Sequence, residues 1–314
     1  MSGLTNLPIL FVGARIVGRL CLEALLSEGA RIAGLLVLDE SKAGQTVAHA
    51  DFADLIEQHH VPARPFRTLK GLEGHSHAAW ARELRPRLGI VVGVSELLGP
   101  EILSLPELGF IGMHPTFLPE GRGRAPIPWA IILGLKQTGV SLFYAAEGAD
   151  TGDILLQERA PIFEDDTAST LGARTDNVAA RLLVDAVEKI ATGTAPRIPQ
   201  DPAIATHWPR RRPEDGVIDW NRPSADVVRW IRALTHPYPG AFTHIGGQKL
   251  FIWEAVATTA PRGNVPGEIL ARDDDRLTIA TCDGAVAATS FQWADQSNGM
   301  TSEGNVIARI RSAS

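Results

Sequence analysis

The chain has 314 residues, of which 45% are hydrophobic and 21% are charged, and its formal net charge is −6 at pH 7. These values are typical of a globular protein large enough for two hydrophobic cores, and they exclude extensive intrinsic disorder. Because the charge balance is acidic, a surface that binds nucleic acid mainly by neutralising phosphates is disfavoured, which leaves only a local basic groove for such a partner.

Residues 1–200 are predicted to form a first domain, in which short apolar runs alternate with amphipathic segments. Strands are predicted at 9–12, 32–37, 88–94 and 110–113, and helices at 17–26, 47–59 and 78–84. This βαβα order predicts an α/β domain with a Rossmann-like parallel sheet. The last of these strands ends at His114, and open α/β sheets bind ligands at the carboxyl ends of their strands.

The segment that follows the first strand contains two glycines, Gly13 and Gly18. It lacks the Gly-x-Gly-x-x-Gly pattern of dinucleotide-binding loops, and beyond Asp39 no acidic residue is clearly placed to bind a ribose after the second strand. We therefore interpret this segment as a turn from strand to helix rather than as a nicotinamide site.

The second half of the chain contains a long amphipathic segment and then a series of short β-like runs. Residues 168–191 are predicted to be a helix, and the Pro-rich stretch 193–202 is predicted to be a linker. A second domain is predicted over 207–314, with a helix at 225–234 and strands at 241–245, 249–255, 276–281 and 285–293. Short strands separated by Gly, Pro and Asp turns predict a small β-barrel, similar to an OB fold.

The sequence indicates neither a targeting signal nor a metal site. Arg15 and Arg19 interrupt the apolar run near the N-terminus, and no stretch of about 18 uncharged apolar residues occurs. We therefore expect a cytoplasmic protein without a membrane span. Cys21 and Cys282 are far apart and are interpreted as small apolar core residues in a reducing compartment. No metal site is predicted, because the histidines show no metal-ligand spacing.

The most informative pair of residues is His114 and Asp150, which lie 36 positions apart. A histidine at the end of an apolar run can present a ring nitrogen to a substrate, and a carboxylate from a second loop can orient that ring and stabilise its proton. Each residue alone is also compatible with ordinary turn chemistry. Together they predict one active site, built from two loops, with a base and an orienting group for acyl transfer.

The loop 120–130, between these two residues, contains two arginines and two glycines. Glycines allow close approach of the backbone, and the guanidinium groups of Arg122 and Arg124 can bind an anionic group. The same residues are compatible with a solvated loop before a helix that begins near Pro126. Both interpretations can hold at once.

Several motifs together resemble the 10-formyltetrahydrofolate-dependent formyltransferases in both order and spacing. The motifs of the first domain are at 113–119, 122–126, 138–140 and 150–153. Those of the second domain are at 218–220, 231–233 and 239–242, and they are similar to the C-terminal domain of methionyl-tRNA and nucleotide-sugar formyltransferases. Within the family, residues 210–215, 219–220, 247–249 and 252–253 are most similar to the formyltransferase part of the enzyme that modifies UDP-4-amino-4-deoxy-L-arabinose.

The resemblance implies an N-formyltransferase that moves a formyl group from 10-formyltetrahydrofolate, its co-substrate, to the amine of a nucleotide-linked amino sugar. It implies His114 as the base and Asp150 as its orienter. It also implies folate contacts, which are Arg124, Ala146, Glu147, Gly148, Ala149 and Asp150, with Arg122 as a further candidate. The alternative acceptor is methionyl-tRNA, which the acidic balance of the chain disfavours.

One position departs from the family pattern. The family has an asparagine two residues before the histidine, where its amide helps to bind the formyl oxygen, and this chain has Gly112. Loss of such a donor typically raises the barrier by about 2.7 to 4 kcal/mol. The Gly112 backbone N–H, a bound water or Thr116 could supply the hydrogen bond. Alternatively, the chain acts on another amine, such as a hydroxylamine or an amino acid, or binds folate without turnover. Gly112 is equally compatible with a purely structural role.

Overall fold

The structure is a computed structural model that describes residues 3–261, 263–273 and 275–294. The strands of the first half are β1 (Ile9–Gly13), β2 (Ile32–Leu38), β3 (Ala63–Phe66), β4 (Leu88–Val92), β5 (Phe110–His114), β6 (Arg122–Gly123), β7 (Gln137–Tyr144) and β8 (Ile154–Pro161). The helices there are α1 (Ile16–Ser27), α2 (Ala53–His59), α3 (Gly71–Glu83), α4 (Pro100–Leu103), α5 (Pro126–Ile132) and α6 (Ala168–Ala191). The later elements are β9 (His207–Trp208), α7 (Ser224–Leu234), β10 (Ala241–Ile245), β11 (Gln248–Thr258), β12 (Ile269–Arg272), β13 (Leu277–Ala280) and β14 (Ala285–Trp293).

Seven strands form the first sheet, in the order β3-β2-β1-β4-β5-β7-β8. The first five are parallel to one another, whereas β7 pairs antiparallel with β5 and β8 pairs antiparallel with β7. The predicted α/β fold with a parallel-dominated sheet is confirmed. The antiparallel edge was not predicted, and it is possible because β7 and β8 need only a short connection, whereas parallel neighbours need a long crossover.

The first sheet is buried on both sides, as its near-continuous apolar strands indicate. All five residues of β1 are buried. On one side, α1 and α6 supply core residues such as Cys21 and Leu183, and on the other side the core includes Phe66 and Phe110. The bounds predicted for α6 are confirmed, and its buried stripe explains why the helical pattern was clear.

The helix predicted at 47–59 was wrong over its first half, because α2 begins only at Ala53. Ala48 has a positive φ of 54°, which an α-helix does not accommodate. The Asp51 carboxylate then accepts a hydrogen bond from the backbone N–H of Ala53 at 2.8 Å, which favours a helix start at that point. The backbone N–H of Ala50 donates to the carbonyl oxygen of Ala14, so this segment pairs with the loop after β1.

The second sheet has five antiparallel strands in the order β10-β11-β14-β13-β12. Its half-barrel form confirms the predicted small β domain, and the bounds predicted for β10 and β14 are confirmed. Strand β12 was missed because its residues are mostly exposed and lack a strong alternation of apolar side chains. The interpretation of Cys282 as a core residue was wrong, since it is exposed in the turn before β14, whereas Cys21 is buried as predicted.

The chain divides into two compact units. The described parts of residues 1–126, 137–161 and 172–209 form the first unit, and those of 127–136, 162–171 and 210–314 form the second. The domain bounds 1–200 and 207–314 stay a prediction, and residues 295–314 of the predicted second domain lie outside the described residues. None of the helices in the described ranges is long and apolar enough to cross a membrane.

Candidate active site

The structure brings together the two residues that the sequence singled out. His114 is the last residue of β5, at the carboxyl edge of the sheet, and only 6% of it is exposed. Its Nδ1 atom lies 3.7 Å from Oδ2 of Asp150, which comes from the loop between β7 and β8. Its Nε2 atom lies 2.8 Å from the carbonyl oxygen of Gly121. Both ring nitrogens therefore face an acceptor, an arrangement in which the ring can carry a proton on either side.

The carboxylate of Asp150 also connects the two loops of the site. Its Oδ2 atom accepts a hydrogen bond from the backbone N–H of Gly123 at 2.9 Å. Asp150 itself has a positive φ of 57°, a conformation that Asp adopts more readily than most residues. One carboxylate oxygen thus contacts the His114 ring and the neighbouring glycine-containing loop at the same time.

A partly buried network around Gln200 fixes the backbone on the other side of Asp150. The side-chain amide of Gln200 donates to the carbonyl oxygens of Asp150 at 2.9 Å and Gly152 at 2.7 Å. Its Oε1 atom accepts hydrogen bonds from Nε and Nη2 of Arg122 at 3.1 and 2.6 Å. Arg122 is only 7% exposed, so its guanidinium has a structural partner rather than a free face for folate. We call this set the Gln200 bridge.

The glycines of the loop 121–123 allow close approach to protein. Gly121 and Gly123 have φ values of +71° and +108°. A Cβ atom on Gly121 would lie 2.8 Å from the Trp208 ring, and one on Gly123 would overlap the carbonyl oxygen of Trp208. Strand β6 pairs with β9 at this point. The loop is therefore packed against residues 207–208, and this packing places the Gly121 carbonyl oxygen against His114.

Hydrogen bonds from β7 and β8 fix the segment that follows His114. The Ser141 hydroxyl donates to the carbonyl oxygen of Thr116 at 2.7 Å and accepts from the backbone N–H of Leu118 at 3.0 Å. The amide of Gln157 donates to the carbonyl oxygen of Leu118 at 2.8 Å and to the Ser141 hydroxyl at 2.7 Å. These partners are buried or partly buried, so the loop after the histidine has one well-defined path.

The predicted folate contacts have a different character. Arg124 and residues 146–149 are exposed. In the described part of the chain, the backbone N–H groups of 146–149 donate no hydrogen bond, and the Arg124 side chain has no polar partner. Exposed donors without protein acceptors suit a ligand that carries several acceptors, as a pterin does. Their assignment to folate stays a prediction.

Gly112 has a structural explanation. It lies in the sheet between β4 and β7, directly opposite Phe143. A Cβ atom on Gly112 would lie 2.8 Å from Cζ of Phe143, a buried residue that packs with Leu118 and Ile154. The space that an asparagine side chain would need is therefore occupied by an aromatic ring. Thr116, the alternative donor, is 2% exposed, and its hydroxyl has no hydrogen-bond partner within the described ranges.

Four residues that build the site were not identified from sequence: Ser141, Gln157, Gln200 and Trp208. Gln200 lies in the polar stretch that was interpreted as a linker, where a single glutamine carries no local signal. Trp208 follows the same stretch. Ser141 lies in β7, a strand that was not predicted, although it immediately follows the motif at 138–140. Only contacts over long sequence separations show what these residues do.

Two family descriptions match this chain. "Formyl transferase" matches residues 19–187, more than half of the chain, including both His114 and Asp150. "Formyl transferase, C-terminal domain" matches residues 211–303. The methionyl-tRNA formyltransferase of Symbiobacterium thermophilum is 35% identical over 290 residues, which are 91% of this chain and 88% of that protein. The methionyl-tRNA formyltransferase of Pelotomaculum thermopropionicum is 36% identical over 228 residues, 72% of each chain.

Solved structures with the same fold include proteins with different acceptors. HypX from Aquifex aeolicus, in complex with tetrahydrofolic acid, has a TM-score of 0.67 and 20% identity over 92% of this chain and 44% of HypX. The N-formyltransferase from Helicobacter canadensis, in complex with folinic acid and dTDP-3-aminofucose, has a TM-score of 0.67 and 17% identity over 91% of this chain and 100% of that chain. This chain spans less than half of HypX, and at these identities the likeness shows the fold.

The matched family descriptions and the near full-length relative agree with the two-part architecture of the chain. The predicted enzyme class, a folate-dependent transferase of one-carbon groups, is confirmed. The chain belongs to the formyl transferase family.

Proposed function

We propose that this enzyme transfers the formyl group of 10-formyltetrahydrofolate to the primary amine of a nucleotide-linked amino sugar. The observation that carries the proposal is the pairing of His114 with Asp150, 3.7 Å apart and mostly buried, at the carboxyl edge of the sheet. A base and its orienting carboxylate are what N-formyl transfer requires, because only a neutral amine attacks the formyl carbon.

The proposed chemistry uses His114 twice. The neutral amine nitrogen of the acceptor attacks the formyl carbon, a C–N bond forms, and the formyl oxygen takes up negative charge. At Nε2, where the amine takes the place of the Gly121 carbonyl oxygen, His114 accepts the proton that the amine nitrogen loses. The tetrahedral intermediate then collapses, the bond between the formyl carbon and N10 of the folate breaks, and His114 returns the proton to N10. Asp150 orients the imidazole and stabilises its protonated form during the step between these transfers.

The folate is proposed to bind beside the two loops of the site. Residues 146–149 offer exposed backbone N–H groups next to Asp150, and Arg124 offers an exposed guanidinium. Arg122 is not proposed for this role, because its guanidinium binds Gln200. The Gln200 bridge instead keeps Asp150 in place while the exposed part of the loop contacts the pterin.

The charge distribution favours a small acceptor over tRNA. Residues 210–314 contain equal numbers of basic (Lys, Arg) and acidic residues, and the whole chain has a net charge of −6. A tRNA acceptor stem is bound largely through its phosphates, which requires an excess of Lys and Arg on the surface that contacts it. A nucleotide-linked sugar carries only two phosphates and needs no such surface.

Methionyl-tRNA is the second candidate acceptor. The specific observation in its favour is the 35% identity to a methionyl-tRNA formyltransferase over 91% of this chain. The two candidates differ in their expected response to salt, because binding that neutralises many phosphates weakens steeply as the salt concentration rises.

The experiment is formyl transfer from 10-formyltetrahydrofolate to UDP-, dTDP- and GDP-linked amino sugars and to initiator methionyl-tRNA, with the product identified by mass spectrometry. The proposal expects a formyl increment on an amino sugar, a loss of turnover in His114→Ala, and unchanged turnover in His59→Ala, which alters an exposed histidine of α2. Product on tRNA alone would establish the second candidate. Folate binding without any product would contradict both.

A further inference from the structure

A second polar cluster lies at the same edge of the sheet as His114. Arg15 follows β1, Ser95 follows β4, and His114 ends β5. Strands β1, β4 and β5 are neighbours and parallel, so their carboxyl ends lie on one edge. Neighbouring strands are about 4.8 Å apart, which places the ends of β1 and β5 about 10 Å from each other. That separation matches the length of a sugar with one or two phosphates.

Arg15 is held in place at this edge. Its Nη2 atom donates a hydrogen bond to the Ser95 hydroxyl at 2.6 Å. Its backbone forms an isolated bridge with His49. Gly93, with a φ of +69°, leaves room for it, since a Cβ atom there would lie 3.0 Å from Cβ of Arg15. Arg15 is partly exposed, although its Nε atom is buried.

Asp176 is the unusual member of the cluster. It lies on α6 one turn before Ala179 and two turns before Leu183, which are both fully buried. Its position therefore continues the apolar stripe of the helix, where a carboxylate is out of place. Burial raises the pKa of Asp176 to about 7, and the Arg15 charge opposes that rise. The Asp176 carboxylate forms no hydrogen bond and no ion pair with the described residues.

Asp176 and Arg15 lie at the same end of the domain. The charge of Asp176 reaches Cys21 on α1 as well as Arg15, and α1 begins directly after Arg15. A half-buried carboxylate without a donor is costly in a folded protein unless a ligand supplies the hydrogen bond. A buried polar group without a hydrogen-bond partner is rare in a folded protein, and a functional role is one explanation for it.

We propose that Arg15 and Asp176 form the acceptor subsite of this enzyme, with Arg15 binding a phosphate of the nucleotide and Asp176 binding the sugar through its amine or a hydroxyl. Both are positioning residues, since neither exchanges a proton with the reacting atoms. The inference rests on the proposed function, in which the acceptor is a nucleotide-linked amino sugar. Ser95 supports Arg15 and does not contact the ligand.

The test is isothermal titration in the presence of saturating tetrahydrofolate, which carries no formyl group. The probes are UDP-4-amino-4-deoxy-L-arabinose, dTDP-3-aminofucose, and UDP and dTDP alone. Arg15→Gln is expected to weaken binding of both sugar and free nucleotide by about tenfold or more, the value of one charge-assisted hydrogen bond. Asp176→Asn is expected to weaken binding of the amino sugar but not of the free nucleotide.

Asp185→Asn is the matched control, because Asp185 lies on the same helix and pairs with Lys189 at the surface. Arg15→Lys keeps the positive charge and tests whether a loss of binding in Arg15→Gln reflects damage to the fold. Thermal denaturation of every variant tests the same point. In turnover, both test variants are expected to raise the KM for the acceptor while the KM for the folate co-substrate stays unchanged.

Binding by both variants at wild-type affinity would overturn the inference, as would a wild-type protein that binds none of the probes. A wild-type protein that binds a nucleotide-linked amino sugar but formylates none of them would instead contradict the proposed function, while a selective loss of binding in the variants would still support the subsite. The two failures are therefore distinguishable.

Discussion

The two loops that form the site differ in how the protein restrains them. The loop after β5 is fixed by Ser141, Gln157 and contacts with Trp208, and the histidine ring packs against it. In the loop between β7 and β8, Gln200 restrains the end at Asp150, whereas residues 146–149 are exposed. A base must be held in one orientation, whereas a loop that contacts a ligand through its backbone gains from free donors. Substitutions in each loop can test this difference.

Removal of the imidazole should have the largest effect. His114→Ala is expected to lower kcat by about 10²- to 10⁴-fold, the usual contribution of a general base. Asp150→Asn should also lower kcat, since it keeps the shape of the side chain but removes its charge. Folding of both variants is checked by circular dichroism, and His59→Ala provides the reference rate. Turnover near the wild-type rate in His114→Ala would remove this residue from the mechanism.

Loss of the Gln200 bridge should loosen the restrained end of the second loop. Gln200→Ala leaves the buried Arg122 guanidinium without its partner and frees two backbone carbonyls. We expect a loss of about 2 to 3 kcal/mol in the free energy of unfolding, together with a lower kcat. Gln137→Ala, at an exposed position of β7, is the control. Urea denaturation measures the first effect, and equal stability of the two variants would contradict it.

An asparagine at position 112, as in the family pattern, should disturb the region around His114 unless the ring of Phe143 is removed. Gly112→Asn is expected to destabilise the protein by about 1 to 3 kcal/mol, because its side chain meets the buried ring of Phe143. The double variant Gly112→Asn/Phe143→Ala should recover part of that loss relative to the sum of the two single variants. Strict additivity in a double-mutant cycle would show that the two positions do not compete for space.

Because of Asp176, we expect a contribution to stability that falls as pH rises, which is opposite to the contribution of most acidic residues. Its pKa is raised to about 7 in the folded protein, above the unfolded value of 3.8. Between these values the unfolded chain loses the proton and the folded protein keeps it, so stability falls as pH rises through this window and stays low above it. Asp176→Asn should therefore be more stable than the wild type by about 1 to 3 kcal/mol at pH 8 and nearly equal at about pH 4.

Denaturant titrations of the wild type and Asp176→Asn at both pH values measure that difference. If the free energy of unfolding of Asp176→Asn exceeds that of the wild type by more at pH 4 than at pH 8, the burial of the carboxylate is contradicted. If Asp176→Asn stabilises the protein and also weakens acceptor binding, then Asp176 serves function at a cost in stability.

The smallest effect is expected in the exposed part of the second loop. Glu147→Ala removes a solvent-exposed side chain and leaves every backbone donor in place. We expect a change in stability within about 0.5 kcal/mol and a similar KM for the folate co-substrate. A large rise in that KM would show that the side chain of this loop, rather than its backbone, contacts the folate.

Local patterns in the sequence were sufficient for much of the fold. The apolar stripe predicted the bounds of α6, and short β-like runs between turn residues predicted those of β10 and β14, because both signals lie within a single segment. Spaced motifs singled out His114 and Asp150 and pointed to the family. Short-range patterns failed where the backbone depends on a distant partner, as in the segment before α2 and the antiparallel edge formed by β7 and β8.

The sequence by itself therefore determined the fold class and the enzyme class, and it singled out His114 and Asp150, which the structure brings together. Only the tertiary structure decided what surrounds that pair: the Gln200 bridge, the ring of Phe143 in the space beside Gly112, and Asp176 on the buried side of α6. The physical reason is that the residue type alone fixes which chemical group a side chain carries, and the residue type can be read at any position of the sequence. The burial of that group, its partners and the room beside it are set by residues that are far away in sequence and meet only in the folded protein.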